Sequence, residues 1–371
     1  VVSQEDTFAF IIHPIDPKGD VTRKYPFLGR VLPESMIHFL CTFWPPVYIS
    51  QIDSVRSAAT GTEITGWFIA APYTPQRMLE IPERAVYRKI VQTGHLAEKL
   101  GAQILGLGAF TSVVGDAGIT IAENLDIPVT TGDAYTVAIA AQAILEAARL
   151  MDIDIDQAKT AVVGATGAIG SACSELLSTQ VPHLTLIGRS AEKIDAVRER
   201  CEGGSAELVT STDINLIHEA DLIMTVTSAI EAIIEPKHLK PGAVVLDVAR
   251  PRDVSKQVAA ERKDVLVIEG GMVEVPGPVD FHFDFGFPPG KAYACMAETM
   301  VLAMEGRYED YTLGRRIEVE RVREIDALAR HHGFRLSGLR SFEREVSPAH
   351  IAQVRERARR ALRTFPLPGR A

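Results

Sequence analysis

The sequence predicts an α/β protein: an N-terminal α/β domain, a doubly wound parallel sheet, then a C-terminal helical segment. Three observations predict it. From Lys159 onward, short apolar runs alternate with segments of helical periodicity, the pattern of a parallel sheet with crossover helices. Gly164, Gly167 and Gly170 stand between the first of those runs and the helix after it. Before Lys159 the same alternation is present in weaker form, with one long helical stretch ending at Gly101.

Composition fits an ordinary globular chain. Of 371 residues, 46% are hydrophobic and 23% charged, so disorder is excluded. The four cysteines, Cys41, Cys173, Cys201 and Cys295, show no CxxC or Cys/His spacing. That argues against a disulfide scaffold and a cysteine zinc site, and for a reducing, cytoplasmic setting. A net charge of −9 argues against a general nucleic-acid binder. The first residues, VVSQEDTFAF, lack a basic and apolar leader, and no run is apolar enough to span a membrane. Charge is uneven: residues 335–371 hold nine Arg and three Glu, while the first 334 hold 30 basic and 45 acidic residues.

The elements follow in order. Residues 1 to about 85 are rich in Pro and aromatics, with a strand-like run at 65–71. Periodicity predicts a helix over 83–100, stopped by Gly101. A strand and glycine turn follow in QILGLGAF, then a strand in IPVTTG, then a helix to about Leu150 for which Asp133 is the expected cap. In the second half, strands are expected at 160–163, 184–187, 206–209, 221–226, 243–248 and 265–269. A loop rich in Pro, Gly and Phe, PGPVDFHFDFGFPPGK, precedes helices at about 291–306 and 315–332. A last helix opens at Ser347-Pro348. The expected divisions are 1–150, 151–275, 276–340 and 341–371.

The strongest motif is Gly164-Ala165-Thr166-Gly167-Ala168-Ile169-Gly170. Glycines let a backbone approach a pyrophosphate, and the helix after them turns free amides toward it. Between a strand and a helix, this spacing predicts a Rossmann-type dinucleotide site. Arg189 ends the next strand, where an NAD site carries Asp or Glu. A cation there suits a 2′-phosphate, so NADPH is the expected cofactor, with Ser190 and Thr227 as further contacts. The plainer reading of Arg189 is a solvated surface charge.

Cys295 lies in KAYACMAETMVLAMEG. Helical spacing gives Tyr293, Met296, Ala297, Met300, Val301 and Met304 one stripe and puts Cys295 opposite, with Lys291 and Glu298. A helix N-terminus and Lys291 both lower a thiol pKa, while Glu298 opposes them. A small buried hydrophobe is the competing reading. Cys41 and Cys173 read as core, and Cys201 as exposed at a helix end. Phe281, Phe283, Phe285 and Phe287 either line an apolar channel or pin their loop to the core. His282 lies in that loop, and no pair of histidines shares a helix face in metal-binding fashion.

Taken together, LGLGAFTSVV (105–114), VTTGDAYTVA (129–138), IDIDQAKTAVVGATGAIGSA (153–172), LIGRS (186–190), EGGMVE (269–274) and AYACMAETMVLAMEG (292–306) resemble the cyanobacterial long-chain fatty acyl-[acyl-carrier-protein] reductases. The resemblance covers roughly 8–340. It implies an N-terminal substrate domain, an NADPH domain, and Cys295 as the residue that carries the acyl group. It further implies thioester reduction to a fatty aldehyde: thiolate attack, release of the carrier thiol, hydride transfer, and collapse of the hemithioacetal. Gly108, Thr111, Ser112, Thr130, Thr131, Gly132 and Gly271 are the residues expected to line the substrate. The family pattern has Asn where this chain has Asp133, and the tail beyond about 340 is extra.

The implied partners are acyl-carrier protein or acyl-coenzyme A as substrate, and an aldehyde-consuming enzyme downstream. DVARPRDV (247–254) also resembles shikimate dehydrogenase and glutamyl-tRNA reductase relatives. The first would need a Lys/Asp pair, and Lys89 and Lys99 lie on an ordinary helix. The second would need an N-terminal cysteine and a basic RNA surface. A cofactor-sensing regulator is a third class. The arginines of 355–363 either steer an acidic carrier or contact an anionic membrane surface, or pair with this chain's own acids.

Overall fold

The structure, a computed structural model, describes residues 6–14, 16–229, 231–249, 252–270, 272–342 and 344–363. The chain forms two compact units: Val1–Tyr135 with Val273–Arg335, and Thr136–Met272 with Leu336–Ala371.

The first unit is built on five strands: β1 (Thr7–Ile12), β2 (Val47–Arg56), β3 (Glu63–Ala70), β4 (Leu105–Leu107) and β5 (Val129–Thr130). Their order is β2-β3-β1-β4-β5; only the β2–β3 pair is antiparallel. Side chains alternate across the pleat, and this decides what each face carries. Ala9, Ile11, Ile69, Leu105 and Leu107 meet Val86, Ile90 and Ala97 of the helix Glu83–Leu100. That helix ends at Gly101, in the left-handed conformation that glycine adopts without a Cβ penalty. On the other face, a Cβ at Gly106 would lie 2.1 Å from Thr299 Oγ1 and 2.5 Å from the Phe10 ring. The helix Ala294–Met304, which carries Cys295, therefore packs where the sheet shows no side chain. Phe68 of that sheet stacks on Phe281, and rings continue through Phe285 and Phe287 to Tyr293, the N-cap of the Cys295 helix. These aromatics pin their loop. The Pro-rich start, hardest to read in sequence, forms three short helices, Pro17–Lys24, Pro26–Val31 and Glu34–Cys41.

The second unit has six parallel strands: β6 (Lys159–Val163), β7 (His183–Ile187), β8 (Glu207–Ser211), β9 (Leu222–Thr225), β10 (Val244–Asp247) and β11 (Leu266–Glu269). Their order, β11-β10-β9-β6-β7-β8, reverses direction between β6 and β9. This is the doubly wound Rossmann arrangement, with its crevice at that switch point. Cys201 is buried, not exposed as its helix-end position suggested, because it is an apolar-face residue of the helix Ala191–Cys201. The final helix, Pro348–Leu362, is capped by Ser347, whose Oγ accepts from the His350 amide. Its apolar stripe of Ile351, Val354 and Ala358 is buried. Arg355 and Arg359 both pair with Asp152, at 2.9 and 2.8 Å, so two of the tail's arginines are matched within their own unit. Among the described residues no helix is long and apolar enough to cross a membrane.

Candidate active site

The glycine turn follows β6. Gly164 has φ +85, and a Cβ at Gly170 would lie 2.1 Å from the Gly164 carbonyl, so helix and strand close only over glycine. Gly164 and Ala165 spend their amides on the Ile187 carbonyl, and the Ala165 side chain is fully buried. Gly167 is exposed and N-caps the helix Ala168–Leu177 with no side-chain cap bond. The first-turn amides of Ala168, Ile169 and Gly170 thus point outward, with Thr166 beside them, in a cradle suited to a phosphate. Arg189 follows β7, exposed and without an ion pair among the described residues. Ser190 is the N-cap of the next helix, its hydroxyl 3.5 Å from the Lys193 amide.

Thr227 follows β9 and is locked in place. Asp253 is fully buried; it accepts from Thr227 N at 2.9 Å, Thr227 Oγ1 at 2.5 Å and Thr225 Oγ1 at 2.6 Å. Sequence reading missed Asp253, although it lies in the DVARPRDV stretch. The glycine turn, Arg189 and Thr227 all follow the carboxyl ends of neighbouring strands, where doubly wound sheets bind dinucleotides. The residues present fit such a group.

The thiol site lies in the first unit. Of the four cysteines, Cys295 alone keeps a partly exposed face. It is the second residue of its helix, which begins at Ala294 rather than 291. Lys291 lies in a short strand, Lys291–Tyr293, and so is not on the helix with Cys295. The segment after β5 is laid against the thiol residue: Gly132 has φ +75, and a Cβ there would fall 2.3 Å from Cys295 Cα. A side chain at Gly132 is excluded on both counts.

Glu298 is fully buried, and the expected polar face around it does not exist; the helix is buried on nearly every side. Its carboxyl accepts from Thr130 Oγ1 at 2.5 Å, Thr312 Oγ1 at 2.8 Å and the Tyr135 amide at 2.7 Å. Asp133 is not a cap. It is the first residue of the helix Asp133–Leu150 and is buried. Burial, and then the Glu298 carboxylate, raise its pKa from 3.8 to about 7. Thr131, also buried, stands beside that carboxyl and acts against the rise.

The thiol itself reverses the sequence expectation. Burial pushes Cys295 up to about 12, and Asp133 and then Glu298 push the same way. The amides of Met296 and Cys295 favour the thiolate but are outweighed. The helix N-terminus is present; the cation is not, and two acids stand in its place.

Thr130, Thr131 and Gly132 are therefore brought to Cys295. Gly108, Thr111 and Ser112 are used differently. Thr111 Oγ1 binds the Gly108 carbonyl at 2.8 Å and Ser112 Oγ the Ala109 carbonyl at 2.7 Å, closing a buried turn. Gly271 lies outside the described residues. His13, unremarked in sequence, is buried and held at a pKa of about 4; its Nε2 accepts the Phe110 amide at 3.0 Å. Lys89 donates to the Trp44 carbonyl at 2.7 Å and lies over the Tyr73 ring rather than beside a carboxylate.

The shikimate/quinate 5-dehydrogenase family model matches residues 145–269, which lie in the second unit. The long-chain acyl-[acyl-carrier-protein] reductase of Synechococcus elongatus is 30% identical over 79% of this chain and 89% of its own length. The chain belongs to that reductase family. Aminotransferase PigE of a Serratia species is 33% identical over 81% of this chain, which spans only 35% of PigE. A glutamyl-tRNA reductase of Cyanothece is 26% identical over 43% of this chain and 38% of its own. Fold and family together make this member of the acyl-[acyl-carrier-protein] reductase family an NAD(P)-dependent oxidoreductase.

Proposed function

We propose that the protein reduces a long-chain acyl thioester, carried by acyl-carrier protein or coenzyme A, to a fatty aldehyde through an acyl-enzyme on Cys295. The observation that carries this reading is the Cys295 environment. One cysteine of four retains access, in the first turn of a helix, with a side-chain-free backbone laid against it. A thiolate is both a strong nucleophile and a competent leaving group, as a two-stage reduction requires. The amides of Cys295 and Met296, at the helix N-terminus, stabilise negative charge as it forms there. Gly132 lets the Thr130–Asp133 backbone close on the thiol, and the Glu298 bonds to Thr130, Tyr135 and Thr312 fix that backbone.

Bound NADPH supplies the hydride. Gly164, Gly167 and Gly170 give its pyrophosphate room, the amides of Ala168 and Ile169 meet the charge, and Arg189 attracts a 2′-phosphate. Thr227, held by Asp253, is the further contact. The shikimate-type match covers cofactor-binding sequence and gives no substrate. The Lys89 environment lacks the carboxylate partner that a Lys/Asp dehydrogenase would need. An aldehyde-consuming enzyme is the partner expected downstream.

The test is aldehyde formation from palmitoyl-acyl-carrier protein and palmitoyl-coenzyme A with NADPH, followed by chromatography. Cys295→Ala should abolish aldehyde and the covalent acyl adduct while retaining NADPH binding. An adduct that survives in Cys295→Ala overturns the assignment.

A further inference from the structure

We propose that the short helices near the start of the first unit form a docking face for an anionic lipid bilayer, into whose surface Phe27, Phe39 and Phe43 insert. This is a contact surface apart from the thiol chemistry, and it does not depend on an acyl-enzyme at Cys295.

Apolar side chains stand outward there in register. On the helix Pro26–Val31, Phe27 and Val31 are four positions apart and are 76% and 62% exposed. On the helix Glu34–Cys41, Ile37 and Cys41 are buried. Met36, Phe39 and, just past the helix end, Phe43 turn the other way, at 47%, 57% and 71% exposure. The Phe39 and Phe43 rings meet edge to face, with centroids 5.5 Å apart. A helix that is apolar on two sides needs a second contact besides its own core.

The helices are joined into one face. Tyr25, before the first of these helices, stacks on Trp44, after the second, with centroids 5.8 Å apart. The start of one helix and the end of the other therefore lie together. Arg77 Nε donates to Thr42 Oγ1 at 2.9 Å, which seats the helix Pro75–Glu80, carrying the exposed Leu79, against the same end. With about 200 Å² for each large side chain, the outward groups amount to on the order of 500 Å² of apolar surface, the size of patch that marks a contact surface.

The charges name the occupant. Residues 1–334 hold 30 basic and 45 acidic residues. Residues 17–48 run against that balance, with Lys18, Arg23, Lys24 and Arg30 against Asp20 and Glu34. Asp20 takes Arg23 at 2.7 Å. Lys18 and Arg30 are exposed and form no ion pair among the described residues. Outward phenyl rings, flanking cations and the half-buried Tyr25 and Trp44 match the headgroup layer of a bilayer. There the cations meet anionic headgroups and the rings enter the acyl boundary. An acidic carrier protein would satisfy the cations but leave the rings in water. A second copy of the chain would set like charges against each other.

The experiment floats the full chain on a sucrose gradient with vesicles, without substrate. The vesicles are phosphatidylcholine alone or phosphatidylcholine mixed with phosphatidylglycerol. Native protein should float with the mixed vesicles, and the bound fraction should fall at least about fivefold in 0.5 M salt. Phe27→Ser combined with Phe43→Ser should cut it about tenfold, with unchanged circular dichroism. Lys18→Glu combined with Arg30→Glu should remove the preference for the mixed vesicles. Brominated phosphatidylcholine in those vesicles should quench the tryptophan emission of native protein, a reading that needs no change to the face, and Trp44→Phe should abolish the quenching. No flotation, flotation unaffected by the serine pair, or no quenching overturns the proposal. An oligomer that the serine pair dissociates, seen by light scattering, overturns it in favour of a second copy. Acyl-carrier-protein binding that the serine pair abolishes, without flotation, overturns it in favour of the carrier. Cys295→Ala should float like native protein, so failure here and failure of the acyl-enzyme reading are separate results.

Discussion

Two helix N-termini in this protein meet glycine backbone, one in the turn before it and one in a segment packed against it, and they have opposite electrostatic character. At Ala168–Leu177 the turn carries three glycines, no side-chain cap and no carboxylate, so the free amides and the dipole set the character. At Ala294–Met304 the first-turn amides favour a Cys295 thiolate, but Asp133 of the facing segment and Glu298 of the same helix oppose it. There the acids win, and the thiol rises instead of falling. The lesson is one of magnitude. A surface helix terminus contributes about 0.3–1 kcal/mol, whereas desolvation and a buried like charge shift pKa values by up to several units. A helix N-terminus is an anion site only where its facing side chains allow it.

The largest expected effect comes from breaking the second turn. Gly132→Ala forces a Cβ to 2.3 Å from Cys295 Cα at φ +75. We expect a loss of about 3 kcal/mol or more in unfolding free energy, read by urea titration, together with loss of acylation. A variant as stable as native would mean that the segment does not close on the thiol.

The acid at the second site has a stability signature. The pKa of Asp133 is raised in the folded protein from 3.8 to about 7. Folding therefore favours the protonated carboxyl. Its contribution is fullest below about pH 4 and is lost as pH rises toward 7. Asp133→Asn cannot ionise and avoids this loss. Its advantage in urea unfolding over native should grow across pH 4 to 7, toward about 3–4 kcal/mol at most. A gap that is flat with pH would show that Asp133 is not desolvated.

The first turn is tested through its cation. Arg189→Asp replaces attraction for a 2′-phosphate by repulsion and adds an acceptor for a 2′-hydroxyl. Fluorescence titration should show NADPH weakened at least tenfold, about 1.4 kcal/mol, relative to NADH. An unchanged ratio would make Arg189 a surface charge.

The smallest effect is expected at the tail. Asp152→Ala removes the partner of Arg355 and Arg359. The pairs are exposed, so the cost should stay below about 1 kcal/mol and shrink in 0.5 M salt. The buried Ile351, Val354 and Ala358 stripe should keep the helix in place, as circular dichroism would show.

Legibility in the sequence followed locality. The helix 83–100 and its glycine stop, the Ser347-Pro348 start and the glycine turn were all readable, because each is fixed by residues within a few positions. The start of the Cys295 helix was not. Residues 291–293 share the helical apolar spacing but pair as a strand, and that displaced Lys291 from the thiol's helix face. Glu298 read as a polar-face residue because its three donors come from positions 130, 135 and 312. Asp133 read as a cap because nothing local tells a solvated acid from a buried one.

The sequence by itself determined the doubly wound sheet, its glycine turn, the cation after the second strand and the cysteine at a helix start. Periodicity, turn chemistry and helix-end rules act over one or two turns, so a linear reading captures them. Only the tertiary structure decided the protonation chemistry. It laid Gly132 against Cys295, satisfied Glu298 from positions 130, 135 and 312 and buried Asp133 near that carboxylate. Charge states depend on what lies within a few ångströms in space, and here those neighbours are about 160 residues apart in the chain.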